Sequence, residues 1–143
     1  MAHVLVADDS PTVRFVLCPI LRNANHIVSE AANGEETLDI LQSSPTPMIV
    51  LLDVVMPKLG GIGVLQAMES SEELRDRHAF ILMTATPDAI PPKAVTDLLE
   101  RFTIPLVLKP LDPAFLLSLV DQAAVRLSGI QNLDQEPNQG EAV

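Results

Sequence analysis

Cations, cysteines and long apolar runs are all scarce in this chain of 143 residues. Nine Lys and Arg face 19 Asp and Glu, a formal net charge of −10, which excludes the clustered basic surface that nucleic-acid binding needs. The lone cysteine, Cys18, permits no internal disulfide and suits a reducing compartment. It falls on the apolar side of a helical pattern, where core filler is its expected role. No apolar run approaches the ~20 residues of a membrane span. The opening "MAHVLVADD" also lacks the basic region and long apolar stretch of a signal peptide. A soluble, cytoplasmic protein is therefore expected, with no membrane insertion. The length suits one domain with a single core.

What is present is an alternation of short apolar runs and helical patterns. The runs are "HVLVAD" (3–8), "HIVSEA" (26–31), "MIVLLD" (48–53), "AFILMTA" (79–85) and "PLVLKP" (105–110). Most are too continuously apolar for a half-wet antiparallel sheet, as parallel strands buried on both faces require. Between them, helical spacing predicts five helices. The first is capped by Ser10 with Pro11 at its first position, and Val13, Val16, Leu17, Ile20 and Leu21 share one face. The second starts near Gly34, the third follows Gly60-Gly61, the fourth carries Val95 to Phe102, and the fifth is started by Asp112-Pro113. This (βα)5 pattern predicts an α/β, doubly wound fold: a five-stranded parallel sheet with helices on both faces. The polar, Pro/Gly-punctuated stretch 128–143 reads as a disordered tail after a domain spanning 1–127.

The chemistry gathers at the strand ends. The first run closes on Asp8-Asp9, the third on Asp53, the fourth near Thr84 and the fifth on Lys109-Pro110. Open α/β sheets bind ligands beyond the carboxyl ends of their strands. Asp53 follows five apolar residues and needs partners to tolerate its charge there. Three carboxylates at one edge repel unless a cation intervenes, and hard oxygen ligands suit Mg²⁺. His3, His26 and His78 have no metal-ligand spacing and are expected at surface or edge positions.

The set Asp8, Asp9, Asp53, Thr84 and Lys109, with "DVVMP" and "LKP", resembles the receiver domain of two-component response regulators over about residues 3–127. That resemblance implies the CheY-like, flavodoxin-type strand order 2-1-3-4-5. It implies that Asp53 is the phosphoacceptor, taking a phosphoryl group from a sensor histidine kinase, a histidine phosphotransfer protein or a small donor. Asp9, Asp53 and the Val55 carbonyl would bind Mg²⁺ directly, and Asp8 through a water. Lys109 would hold the Asp53 carboxylate and then a phosphoryl oxygen, while Thr84 would hydrogen-bond the attached group. Ala85 would leave room for it. The Lys109-Pro110 bond would be cis.

The chain departs from the family pattern in several places. Many receivers carry an aromatic residue where Leu106 stands, and the chain has no tyrosine. Pro87, Pro91 and Pro92 predict a stiff loop and a shortened start to the fourth helix. Val55 and Thr86 border the approach of hydrolytic water, so slow loss of the phosphoryl group is expected. Output is expected by docking to another protein, because nothing DNA-binding or catalytic follows residue 127. A relay intermediate serving a histidine phosphotransfer domain is the alternative. An aspartate-nucleophile phosphatase would need a second acid where Val55 stands, and hydrolytic turnover is not expected.

Overall fold

In a computed structural model of the protein, the five apolar runs pair side by side as one parallel sheet in the order β2-β1-β3-β4-β5. The structure describes residues 2–85 and 93–142, with side chains to residue 129. The strands are β1 (His3–Ala7), β2 (Ile27–Ala31), β3 (Ile49–Asp53), β4 (Ala79–Thr84) and β5 (Leu106–Leu108). Every residue of β3, the central strand, is buried, which accounts for its unbroken apolar run. The outer strands are different: Ile27 of β2 and Leu108 of β5 are each about half exposed, since an edge strand has a neighbour on one side only.

Alternating side chains divide the core into two layers. Val4, Val6, Ile49, Leu51, Ile81 and Met83 face α1 (Pro11–Asn23) and α6 (Pro113–Ala142). Leu5, Val50, Leu52 and Leu82 face α2 (Gly34–Ser43), α3 (Gly61–Glu69), α4 (Glu72–Arg77) and α5 (Lys93–Arg101). The winding therefore reverses between β1 and β3, and the crevice opens at their carboxyl ends.

Local chemistry sets the helix starts. Ser10 accepts a hydrogen bond from the Val13 amide, with Pro11 beginning α1. Asn33 and Glu36 form a reciprocal cap on α2: the Asn33 side-chain Oδ1 accepts from the Glu36 amide, and the Glu36 carboxylate accepts from the Ala32 amide.

Two expectations are corrected. Five helices were expected, and a sixth, α4, lies among the described residues. It is a short turn whose one buried side chain is Leu74, too brief to show a periodic face. His78 is not at the surface but buried beneath α4: its Nδ1 accepts the Met48 amide and its Nε2 meets the Leu41 carbonyl. Its two ring nitrogens satisfy the amide just before β3 and a carbonyl in the last turn of α2, which a surface residue would leave to water. The backbone of α6 continues to Ala142, past the end of the domain expected over 1–127. Among the described side chains, the last on α6 packed against the core is Leu127. The proline-rich loop and Thr86 lie outside the described residues. No helix among the described residues is long and apolar enough to cross a membrane.

Candidate functional site

Asp53 ends β3, and the neighbouring strands deliver its partners. Asp8 follows β1 directly, and its amide donates to the Ala31 carbonyl of β2. On the other side, Asp53 pairs in register with Met83, one residue before Thr84. The Lys109 amide donates to the Thr84 carbonyl, so the end of β4 places the lysine. The Lys109–Pro110 peptide is cis, as the resemblance implies.

These side chains converge. Lys109 Nζ lies 2.5 Å from Asp8 Oδ2 and 3.2 Å from Asp53 Oδ1. The sequence reading pairs Lys109 with Asp53; its shorter contact is with Asp8. Asp8 is fully buried, and its other oxygen accepts the Ser10 amide at 2.9 Å. Asp53 Oδ1 has a long contact, 3.5 Å, with the Val55 amide. Asp9 is exposed, yet one carboxylate oxygen from each of Asp8, Asp9 and Asp53 falls within 4.8 Å of the others.

The electrostatics follow from that crowding. Burial, then the charge of Asp8, push the Asp53 carboxyl up to about 6, and Lys109 offsets only part of this. For Lys109, burial works against the ammonium. The hydrogen bond to Asp8 and the charge of Asp53 overcome it and raise the pKa above the ordinary lysine value. Asp8 and Asp53 thus share one ammonium, and the Asp9 carboxylate lies beside them. That is a donor set of hard oxygens short of positive charge, and it fits a divalent cation such as Mg²⁺.

Around this centre, Thr84 is buried at the tip of β4, and Ala85 is exposed. A cavity of about 440 Å³ runs along Val13, Val16, Ala85, Lys109 and Leu111, leaving space beside the ammonium. Val55, whose amide meets the Asp53 carboxylate, is 68% exposed. Leu106 lies two strands away on β5, at 38% exposure. The structure also brings in a residue that the motif reading missed. Arg14 Nη1 donates to the Asp8 backbone carbonyl at 2.5 Å, and Nε donates to Glu30 at 3.1 Å. One signal was available: a cation near the start of a helix opposes the macrodipole and calls for a partner outside that helix.

Comparison with known proteins agrees with this geometry. The family model for the response regulator receiver domain matches residues 4–121. Over 111 residues the chain is 36% identical to the probable transcriptional regulator ycf27 of Cyanidium caldarium, covering 78% of this chain and 41% of that protein. Over 112 residues it is 29% identical to the two-component response regulator ORR7 of Oryza sativa subsp. japonica, covering 78% and 51%. The chain thus spans about half, or less, of the length of these two relatives. Among solved structures it resembles a CheY-like receiver domain protein from Methanospirillum hungatei JF-1. The TM-score is 0.71 at 25% identity, covering 91% of this chain and 97% of that one. It shares its fold with chemotaxis protein CheY4 of Vibrio cholerae, with a TM-score of 0.68, 24% identity and coverage of 86% and 98%.

Proposed function

Because the chain belongs to the response regulator receiver domain family, we propose that it is a phosphorylation switch whose phosphoacceptor is Asp53. The observation that carries this reading is the position of Asp53. Its carboxylate stands at the tip of the central strand, with the Lys109 ammonium 3.2 Å away and two further carboxylates beside it.

In this reading a carboxylate oxygen of Asp53 attacks the phosphorus of a phosphohistidine or a small acyl phosphate. A new O–P bond forms as the donor's bond to phosphorus breaks, and the leaving group keeps the electron pair. Such a transfer needs positioning and charge neutralisation more than covalent help from the protein. Lys109 neutralises a phosphoryl oxygen, and the Thr84 hydroxyl donates to another. Ala85 leaves that side open. Asp8, Asp9, Asp53 and the Val55 carbonyl would hold Mg²⁺. When bound, the cation offsets the negative charge of the carboxylates and the incoming phosphoryl group.

Residues 1–127 form the switch body, and the phosphodonor is a sensor histidine kinase or a histidine phosphotransfer protein. Output is by docking to another protein, with Leu106 standing in for the aromatic half of the usual switch. Val55 and Thr86 flank the path of hydrolytic water and favour a long-lived phosphorylated state. An apolar side chain at position 55, where an aspartate-nucleophile phosphatase needs its acid, speaks against hydrolytic turnover.

Incubation with Mg²⁺ and acetyl phosphate, followed by intact mass measurement, tests the assignment. The expected outcome is a mass gain of one phosphoryl group that is absent from Asp53→Asn and abolished by chelation. No gain from a small donor or from any of several kinases refutes it.

A further inference from the structure

Arg14 sits on α1, outside the motif residues, yet its guanidinium spans two elements. Nη1 donates to the Asp8 carbonyl at 2.5 Å, and Nε pairs with Glu30 of β2 at 3.1 Å. The side chain is 18% exposed. The need for it is local. The Asp8 amide still joins the sheet through Ala31, but β1 ends at Ala7 and the buried Asp8 carbonyl has left the ladder. A buried carbonyl requires a donor, and Arg14 supplies one that carries charge.

That bond also fixes the peptide plane between Asp8 and Asp9. The Asp8 side chain has its own anchors in Lys109 and the Ser10 amide. Among the described residues no ion pair or hydrogen bond holds the Asp9 carboxylate, so its direction is inherited from the backbone on either side. Ser10, bonded to Asp8 and capping α1, restrains one side, and Arg14 restrains the other. Glu30 in turn restrains Arg14.

We propose that Arg14 is a positioning residue for divalent-cation binding. By clamping the Asp8 carbonyl from α1, with Glu30 as its anchor, it aims Asp9 at the site shared with Asp8 and Asp53. The inference rests on the Mg²⁺-dependent switch proposed above. A lysine at position 14 keeps the charge but lacks the fork needed to reach the carbonyl and Glu30 together.

The test is titration calorimetry of the intact protein with Mg²⁺, run on wild type, Arg14→Lys, Glu30→Gln, Arg22→Ala and Asp9→Ala. Wild type binds, and Asp9→Ala loses binding. Arg14→Lys raises the half-saturating Mg²⁺ by on the order of 10-fold, in the range seen when outer partners of metal ligands are removed. Its phosphorylation rate from acetyl phosphate recovers to the wild-type value at saturating Mg²⁺. Glu30→Gln, at an exposed site that the fold tolerates, weakens binding in the same direction but less. Arg22→Ala, which touches Glu30 only at 3.9 Å, binds as wild type does. Wild-type half-saturation in both Arg14→Lys and Glu30→Gln, beside intact binding in wild type, overturns the positioning role and leaves the switch standing. Wild type that fails to bind Mg²⁺ through Asp9 overturns the metal-dependent switch itself, and the inference falls with it.

Discussion

At Asp53 two opposing effects meet in one side chain. Burial and the nearby Asp8 charge disfavour its ionised form, while Lys109 favours it, and the carboxyl settles at about 6 against an ordinary value of 3.8. Between those two values the folded protein holds a proton that the unfolded chain has released, so this group lowers stability as pH rises from 3.8 to about 6. The penalty is absent below 3.8 and complete above about 6. In metal-free buffer, Asp53→Asn should therefore melt a few degrees above wild type at pH well above 6, with the gap closing towards pH 3.8. Calorimetric melts with chelator across that range check this. A variant that melts below wild type at high pH would show that Lys109 outweighs burial. The same protonation should slow phosphorylation from a small donor as pH falls through about 6.

At the scale of elements, the site depends on how closely α3 approaches the end of β3. Gly61 opens α3, its amide donates to the Val54 carbonyl, and a β-carbon there would lie 2.3 Å from the Asp53 carbonyl oxygen. Backbone cannot yield that distance, so a side chain at position 61 pushes the helix off the strand that carries Asp53. Gly61→Ala should cost about 1–3 kcal/mol, the usual range for overpacking, and should slow phosphoryl transfer. Gly129, on α6, has nothing among the described residues outside its own helix backbone within 4 Å of such a β-carbon. Gly129→Ala is expected to be neutral or slightly stabilising and serves as the control. Urea melts of the two variants, with phosphorylation rates beside them, decide the matter.

For the whole molecule, the sheet carries its acidic cluster at one end and a buried histidine tie at the other. At the far end from Asp53, His78 ties the start of β3 to the last turns of α2 through the Met48 amide and the Leu41 carbonyl. A backbone amide can only donate, so Nδ1 must stay unprotonated for the tie to hold. Burial lowers the His78 pKa from 6.5, the Leu41 contact opposes that, and the nearby charges of Arg77 and Glu73 act in opposite senses. The unfolded chain therefore takes up a proton first, and stability is lost as pH falls below 6.5. This slope opposes that of Asp53 over part of the acid range. In an Asp53→Asn background the melting temperature should fall as pH drops below 6.5, and adding His78→Gln should flatten that fall. Melts between about pH 5 and 8 test this. An unchanged slope in the double variant would place the acid sensitivity elsewhere.

Much of this was legible in one dimension. Unbroken apolar runs mark strands buried on both faces and period-3.6 patterning marks the helix face that meets the core, so the five strands, five of the helices and their capping by Ser10-Pro11 and Asp112-Pro113 can be read from the chain. The strand-end carboxylates, Thr84 and Lys109 are legible for the same reason: chemistry at a sheet's carboxyl edge interrupts apolar runs. Tertiary structure decided what depends on distance between residues far apart in the chain. It set Lys109 closer to Asp8 than to Asp53, across 101 residues of sequence. It buried His78, whose partners Leu41 and Met48 lie at least 30 residues earlier. It also joined Arg14 to the Asp8 carbonyl. No periodicity encodes such contacts, because a polar side chain's partner is fixed by which strands become neighbours and not by its own surroundings in sequence.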